Sequence, residues 1–264
     1  MPKVPTATAV KPLVASSLLL MALVALSVNV LSVNGPTGWD ESVTSWMLAH
    51  RSAGATTVAE FVSTVMSPIA SILITLAVGA LLWRRDRTTA RGLALVLTVA
   101  SADALTEVLK ILVHRTRPPL SWQLEAHELA GSFPSGHTTG AAALAFGLAV
   151  VLLPRASIQA RRQDQHRGRA VVAIAVAIVV AIVVAASVAA SRVYLGMHWA
   201  TDVTAGLLVG LIAALLVPAI LNLLTSQHQA GKHSEDMHSA PGPITTRVNI
   251  YGVDHHGVDH SNAK

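Results

Sequence analysis

The sequence predicts an all-α fold, a polytopic membrane helical bundle of about six transmembrane helices. Three observations carry this. Of the 264 residues, 52% are hydrophobic and only 12% are charged, whereas an ordinary soluble domain is about 25% charged. Six apolar runs approach the ~20 residues needed to cross a ~30 Å hydrocarbon core. None of them alternates apolar and polar residues as a half-buried strand does. Apart from closed barrels, only helices satisfy their own backbone in lipid.

The formal net charge is +5. In a soluble chain this would suggest nucleic acid. Here the basic residues stand in short clusters between apolar runs, a pattern of membrane topology, so no nucleic-acid partner is expected. The chain has no cysteine, which excludes disulfides and thiolate metal sites.

The first helix is expected over residues 13–33, behind Lys3 and Lys11. A cleaved signal peptide is the alternative, but the run is long for one and lacks a small-x-small cleavage site. The second run, 58–83, ends at Arg84, Arg85, Arg87 and Arg91, and the third covers 92–113. The fourth, 138–153, is short and leans on a polar start; Arg155, Arg161, Arg162, Arg167 and Arg169 follow it. The fifth and sixth cover 170–190 and 203–224. Six spans put all these basic clusters and both termini on one side, which the positive-inside rule makes cytoplasmic. Segments 34–57, 115–136 and 191–202 then face outward, and outside the three polar segments described below Arg51 is the only clear exception to the rule. The pattern is that of an integral protein of a bacterial plasma membrane.

Residues 1–225 are expected to form one membrane domain, with a motif-bearing core at 92–225. Residues 226–264 form a polar tail, expected to be disordered, with His228, His233, His238, His255, His256 and His260. Metal binding by that tail is the second reading. The outer stretch "GPTGWDESVTSWMLAHR", with Trp39, Val43, Trp46 and Met47, reads as an amphipathic interfacial segment. It either guides a lipid headgroup or covers the end of the bundle.

Polar residues at membrane helix ends are expensive, and three outward segments bring them to one face. The first is "KILVHRTRPP". Lys110 and Arg117 are two helical turns apart and are expected to share a face; Pro118 and Pro119 stop the helix just after them. The bland reading is snorkelling at the interface. The second is Phe133-Pro134-Ser135-Gly136-His137. Gly136 allows a tight turn, the N–H groups at a helix start attract anions, Ser135 adds a hydroxyl, and His137 is a proton donor near neutral pH. The bland reading is an N-cap beside an incidental histidine. The third is "SRVYLGMHWATD". Arg192 suits phosphate. His198 and Asp202 are one turn apart, so the carboxylate can fix the imidazole's tautomer and leave the other nitrogen a nucleophile. The bland reading is a buried polar pair. Together these segments suggest a phosphoryl-transfer site in which one histidine attacks, the other protonates the leaving oxygen, and fixed cations replace a metal.

The pattern Lys110-x6-Arg117-Pro118, Pro134-Ser135-Gly136-His137 and Ser191-Arg192-x5-His198-x3-Asp202 resembles the three-part signature of the type 2 phosphatidic acid phosphatase (PAP2) superfamily, from about the third helix to the sixth. The resemblance implies a helical bundle with the site between helices. It implies that His198 is the nucleophile, that Asp202 orients it, and that His137 is the general acid and then the base. Lys110, Arg117, Ser135, Gly136 and Arg192 would bind phosphate oxygens, and no cofactor or metal would be needed. Asp103, Glu107, Lys110, His114 and Arg117 are expected to form one polar stripe on the third helix, with Glu107 directing Lys110 from behind; plain charge compensation is the other reading.

The expected partners are the bilayer and an outer-leaflet lipid phosphate: phosphatidic acid, phosphatidylglycerol phosphate or a polyprenyl diphosphate such as undecaprenyl diphosphate. The alternatives are a lipid phosphotransferase with the same site, a vanadate-dependent haloperoxidase, or an inactive lipid-binding or transport relative. Six spans speak against the haloperoxidase, and the full set of motif residues speaks against an inactive relative.

Overall fold

The structure is a computed structural model that describes residues 7–33, 35–126, 130–152 and 164–239. Every regular element among the described residues is helical. Helix α1 is Ala7–Val33, α2 Gly38–Ala49, α3 Ala53–Val65, α4 Pro68–Asp86, α5 Ala90–Val113, α6 Gly136–Leu152, α7 Asp164–Tyr194 and α8 Ala200–Ser239. One 3-10 turn, Leu120–Trp122, lies between α5 and α6.

Five of these helices contain stretches long and apolar enough to cross a membrane, in α1, α4, α5, α7 and α8. The shorter α6 has 17 residues, about 25 Å of helix, and is apolar after its first turn. Large apolar side chains such as Leu18, Met21, Leu73, Leu81, Val172 and Val179 stand exposed on α1, α4 and α7. Among closely packed helices of this composition, such faces belong against lipid. The chain is an integral membrane protein.

The sequence's second run is not one helix. It breaks at Met66-Ser67 into α3 and α4. The Ser67 hydroxyl caps α4 by accepting the Ala70 N–H at 3.3 Å, and Pro68 occupies the first turn, where its missing N–H costs nothing. The span is therefore α4, ending at Arg84 and Arg85 in its last turn, where cations complement the helix dipole.

The outer stretch is α2. Thr37 caps it through a box with Asp40: the Thr37 hydroxyl accepts the Asp40 N–H at 3.2 Å, and the Asp40 carboxylate accepts the Thr37 N–H at 2.9 Å. Val43 and Met47 pack against Ala189, Val193 and Val203 of α7 and α8, while Trp39 and Trp46 stay exposed. Of the two readings of this stretch, the packing supports cover for the bundle end. Arg51, the exception to the charge rule, donates to the carbonyls of Tyr194 at 2.7 Å and Trp122 at 2.7 Å. It satisfies the carbonyl left over at the end of α7 and one at the end of the 3-10 turn.

The core joins Leu23 and Val30 of α1, Leu82 of α4, Leu95 and Val99 of α5, Leu144 and Val151 of α6, and Val209 and Val217 of α8. Helices α6 and α8 approach to backbone contact at Gly206, where an added Cβ would lie 2.8 Å from the Ser135 carbonyl oxygen, and at Gly210, where it would lie 2.5 Å from the Ala142 Cβ. Small residues four apart permit such approach in membrane bundles.

The chain divides into two units, Met1–Thr225 and Ser226–Lys264. The second is described only to Ser239, and residues 226–239, expected to be disordered, are helical. His255, His256 and His260 lie outside the described residues.

Candidate active site

The three polar segments meet at one end of the bundle, with two departures from the expected geometry. The first concerns α5. It ends at Val113, four residues before Arg117, with His114 in the left-handed region (φ 45°) and its N–H donating to the Lys110 carbonyl at 2.9 Å. Lys110 and Arg117 therefore do not share a helix face, and the polar stripe stops at Lys110. The chain turns early because Arg115 points inward to two buried carboxylates. Arg117 follows on the loop. Within α5, the Lys110 ammonium donates to Glu107 at 2.8 Å. Lys110 Nζ also lies 3.6 Å from the point where a Cβ on Gly136 would stand, so it borders the Ser135-Gly136 turn.

That turn opens α6 after a cis Phe133–Pro134 peptide. Ser135 is fully buried. Its carbonyl accepts the Thr139 N–H at 3.0 Å, its N–H donates to the Asp202 carbonyl at 3.1 Å, and its hydroxyl accepts that of Thr138 at 3.2 Å. His137 lines an open groove of about 540 Å³ with Glu60, Ser63, Thr64, Ser67, Glu125 and Ala126.

The second departure concerns His198. It precedes α8 rather than sitting on it. Gly196 makes the turn with φ +71°, and a Cβ there would lie 2.3 Å from the Trp122 carbonyl oxygen, so only glycine fits. The imidazole Nδ1 lies 2.8 Å from the Ser132 carbonyl and 3.6 Å from Asp202 Oδ2. The direct bond to Asp202 expected from the spacing is thus replaced by one to Ser132, whose hydroxyl in turn donates to Asp202 Oδ2. On the other side, Nε2 lies 3.2 Å from Arg117 Nη1. A carbonyl only accepts and a guanidinium only donates, so the partners assign the proton to Nδ1 and a lone pair to Nε2. Burial of His198, with Arg117 and Arg192 nearby, lowers its pKa below the ordinary 6.5, although Asp202 opposes the shift. The ring is neutral at neutral pH.

Asp202 is fully buried. Its Oδ2 also accepts the Trp199 N–H at 2.9 Å, and its Oδ1 accepts from Arg115 Nη1 at 2.6 Å. Arg115 Nη2 donates to Asp40 Oδ2 at 2.7 Å. Thr201 completes the cluster: its N–H and hydroxyl donate to Asp40 Oδ1 at 2.8 and 2.9 Å. Burial would raise the pKa of Asp40. The Thr201 and Thr37 N–H groups and the Arg115 guanidinium outweigh it and hold the carboxyl below its ordinary range.

Arg192, fully buried, donates through Nη1 to the Ser63 hydroxyl at 2.6 Å and pairs with Glu125. Both partners line the His137 groove. Arg117 also donates to the carbonyls of Met197 at 2.9 Å and Ala130 at 3.1 Å.

The structure therefore gathers His198, Asp202, Arg117, Ser135, Gly136 and Lys110 around one turn, and places His137 on the groove, with Arg192 buried behind it and bonded to Ser63 and Glu125 of its lining. Sequence reading missed Asp40, Ser63, Arg115, Glu125, Ser132 and Thr201. Two of these carried a signal: Asp40 closes a Thr37-x-x-Asp40 box, and Arg115 is a charge at a span end.

The sequence profile of the PAP2 superfamily matches residues 91–226. Phosphatidylglycerophosphatase B of Bacillus subtilis (strain 168) is 29% identical to the chain over 146 residues, 55% of this chain and 64% of that relative's length. The crystal structure of a transmembrane PAP2 type phosphatidylglycerolphosphate phosphatase from Bacillus subtilis resembles this fold with a TM-score of 0.63 at 24% identity, covering 77% of this chain and 94% of that one.

Proposed function

Because the chain belongs to the PAP2 superfamily, we propose that it is a membrane phosphatase, hydrolysing a lipid phosphate monoester or diphosphate at the extracytoplasmic face through a phosphohistidine. The observation that carries this reading is the setting of His198: a buried imidazole with Nδ1 2.8 Å from a carbonyl and Nε2 3.2 Å from a guanidinium, partners that fit the neutral form with its proton on Nδ1. A nucleophile for phosphorus needs a neutral ring with its proton held on one nitrogen and a lone pair on the other, which becomes free once the guanidinium turns to the substrate.

In this reading Arg117 moves from Nε2 onto the phosphate oxygens as substrate enters. Nε2 attacks phosphorus, the phosphorus–oxygen ester bond breaks, and His137 gives the leaving oxygen its proton. Water then attacks the phosphohistidine, passes a proton to His137, and releases inorganic phosphate and a neutral His198. Lys110, Arg117, Arg192 and the backbone N–H groups at the start of α6 bind the oxygens and stabilise the transition state's negative charge. Asp202 stabilises the charge that develops on the imidazole. The name of the Bacillus relative puts phosphatidylglycerol phosphate first among the substrates, ahead of phosphatidic acid and undecaprenyl diphosphate.

The test is phosphate release from these three lipids by purified protein in detergent with EDTA, wild type against His198→Ala. Release that disappears in the variant is expected, and the relative rates name the substrate. No release by a folded wild-type protein, or equal release by His198→Ala, overturns the reading. Phosphate found on an added alcohol instead of in solution identifies a transferase.

A further inference from the structure

We propose that Asp40 and Arg115 are positioning residues for this site: Arg115, balanced by Asp40, fixes Asp202 and sets the charge that His198 senses, so that α2 is a working part of the site. This rests on the phosphatase reading for its consequence in turnover, but not for its electrostatics. Asp40 lies outside residues 91–226, the region that matches the family profile, and neither residue belongs to the three motifs.

The geometry is a buried chain of alternating charge. Asp40 is 0% exposed, Arg115 7% and Asp202 0%. One guanidinium nitrogen takes Asp202 at 2.6 Å and the other takes Asp40 at 2.7 Å, a two-pronged use of a planar group that lysine cannot copy. Thr201, beside Asp202 in sequence, donates to Asp40 and accepts from Arg115 at 2.6 Å. Asp40 is held by the first turn of α2, and Trp199 lies under the guanidinium with its ring centre 5.8 Å away. Asp202 has little freedom left: Arg115 takes Oδ1, while Ser132 and Trp199 take Oδ2.

The groups that face His198 are Asp202 from α8, Arg117 and the Ser132 carbonyl from the loop after α5, and Arg192 from α7, itself paired with Glu125. Behind Asp202, the Asp40–Arg115 pair adds no net charge. Removing either member changes that, with opposite signs. Asp40→Asn leaves an unbalanced cation, which disfavours protonation of His198. Arg115→Gln leaves two carboxylates without their cation, which favours it. A packing role would lower folded yield in both variants without moving the two titrations apart.

The test is the titration of His198 by nitrogen NMR of the imidazole in detergent, with His198→Ala assigning the signal. It is repeated for Asp40→Asn, Arg115→Gln and the double variant, and kcat and KM are measured on the same samples. The titration should fall in Asp40→Asn and rise in Arg115→Gln by about half a pH unit or more each, and return toward wild type in the double variant. kcat should fall by up to about a hundredfold, because small misplacements at a reacting centre are costly, with KM little changed. Titrations that coincide in all variants overturn the proposal. Arg115→Lys guards against a misfolded Asp40→Asn: charge kept and fork lost should lower kcat and leave the titration in place, and wild-type kcat there also overturns it. If the wild type releases no phosphate, the enzymatic reading fails, while the titrations still decide whether the pair sets the charge at His198.

Discussion

At the scale of single residues, the site is organised by hydrogen-bond polarity. His198 has one neighbour that only accepts and one that only donates, so its tautomer follows without reference to its proton. Its lowered pKa has a consequence with a definite sign. Catalysis by neutral imidazole should persist below pH 6.5 and fall only as pH drops through the depressed value; a kcat/KM profile whose enzyme-dependent acid limb lies above 6.5 would contradict this. The same shift means that the folded state gains stability from neutral His198 above pH ~6.5 and loses it as pH falls below, because the unfolded chain then binds the extra proton. Glu125 supports a second prediction. Its carboxylate occupies the Arg192 guanidinium proposed to receive phosphate and is itself part-exposed. Substrate must displace it, so Glu125→Gln should lower KM, with kcat unchanged. A raised KM would instead mean that Glu125 holds Arg192 ready. The motif residues were legible in the sequence because their types and spacing are unusual at span ends. Asp40 and Arg115 were not, because a pair 75 positions apart leaves no local pattern and becomes a unit only after the bundle closes.

At the scale of elements, the helices are set by caps and by the approach of α6 to α8. The break between α3 and α4 hid inside a continuous apolar run, since hydropathy averages over Ser67-Pro68 whereas a capping hydroxyl and a proline at the first helical turn act within one residue. The early end of α5 was hidden for a different reason. Nothing local requires it before Pro118; the buried partners of Arg115 do. The Gly206 contact gives a prediction at this scale. A methyl group there would meet the Ser135 carbonyl at 2.8 Å, at the turn that carries the proposed phosphate-binding N–H groups. Gly206→Ala should therefore destabilise the detergent-solubilised protein by about 1–3 kcal/mol, the usual range for overpacking, and reduce phosphate release more than the stability loss explains. Gly54→Ala, which meets nothing within 4 Å, is the control and should do neither. Equal melting temperatures for the two variants would mean that α6 and α8 are less closely pressed than the structure has them.

At the scale of the whole molecule, the distribution of cations resolves into two kinds. At the end carrying Arg84, Arg85 and Arg87, the arginines are exposed or half-exposed around a short connection. At the opposite end, Arg115 is matched by Asp40 and Asp202, Arg192 by Glu125, and Arg51 by backbone carbonyls. Arg115, Arg192 and Arg51 are therefore engaged by partners within the fold, which sets them apart from the exposed arginines that the positive-inside rule counts. This supports the sidedness proposed above, with the site end outside, and explains why a simple count along the sequence met an exception at Arg51. The absence of cysteine makes the test clean, because any single introduced thiol is the only one. Leu120 is 64% exposed at the site end, and Thr88 is exposed in the α4–α5 connection. In intact cells, a membrane-impermeant maleimide should label Leu120→Cys and leave Thr88→Cys unlabelled until the membrane is broken. The reverse pattern would put the site in the cytoplasm, and the substrate would then have to be a lipid phosphate of the inner leaflet.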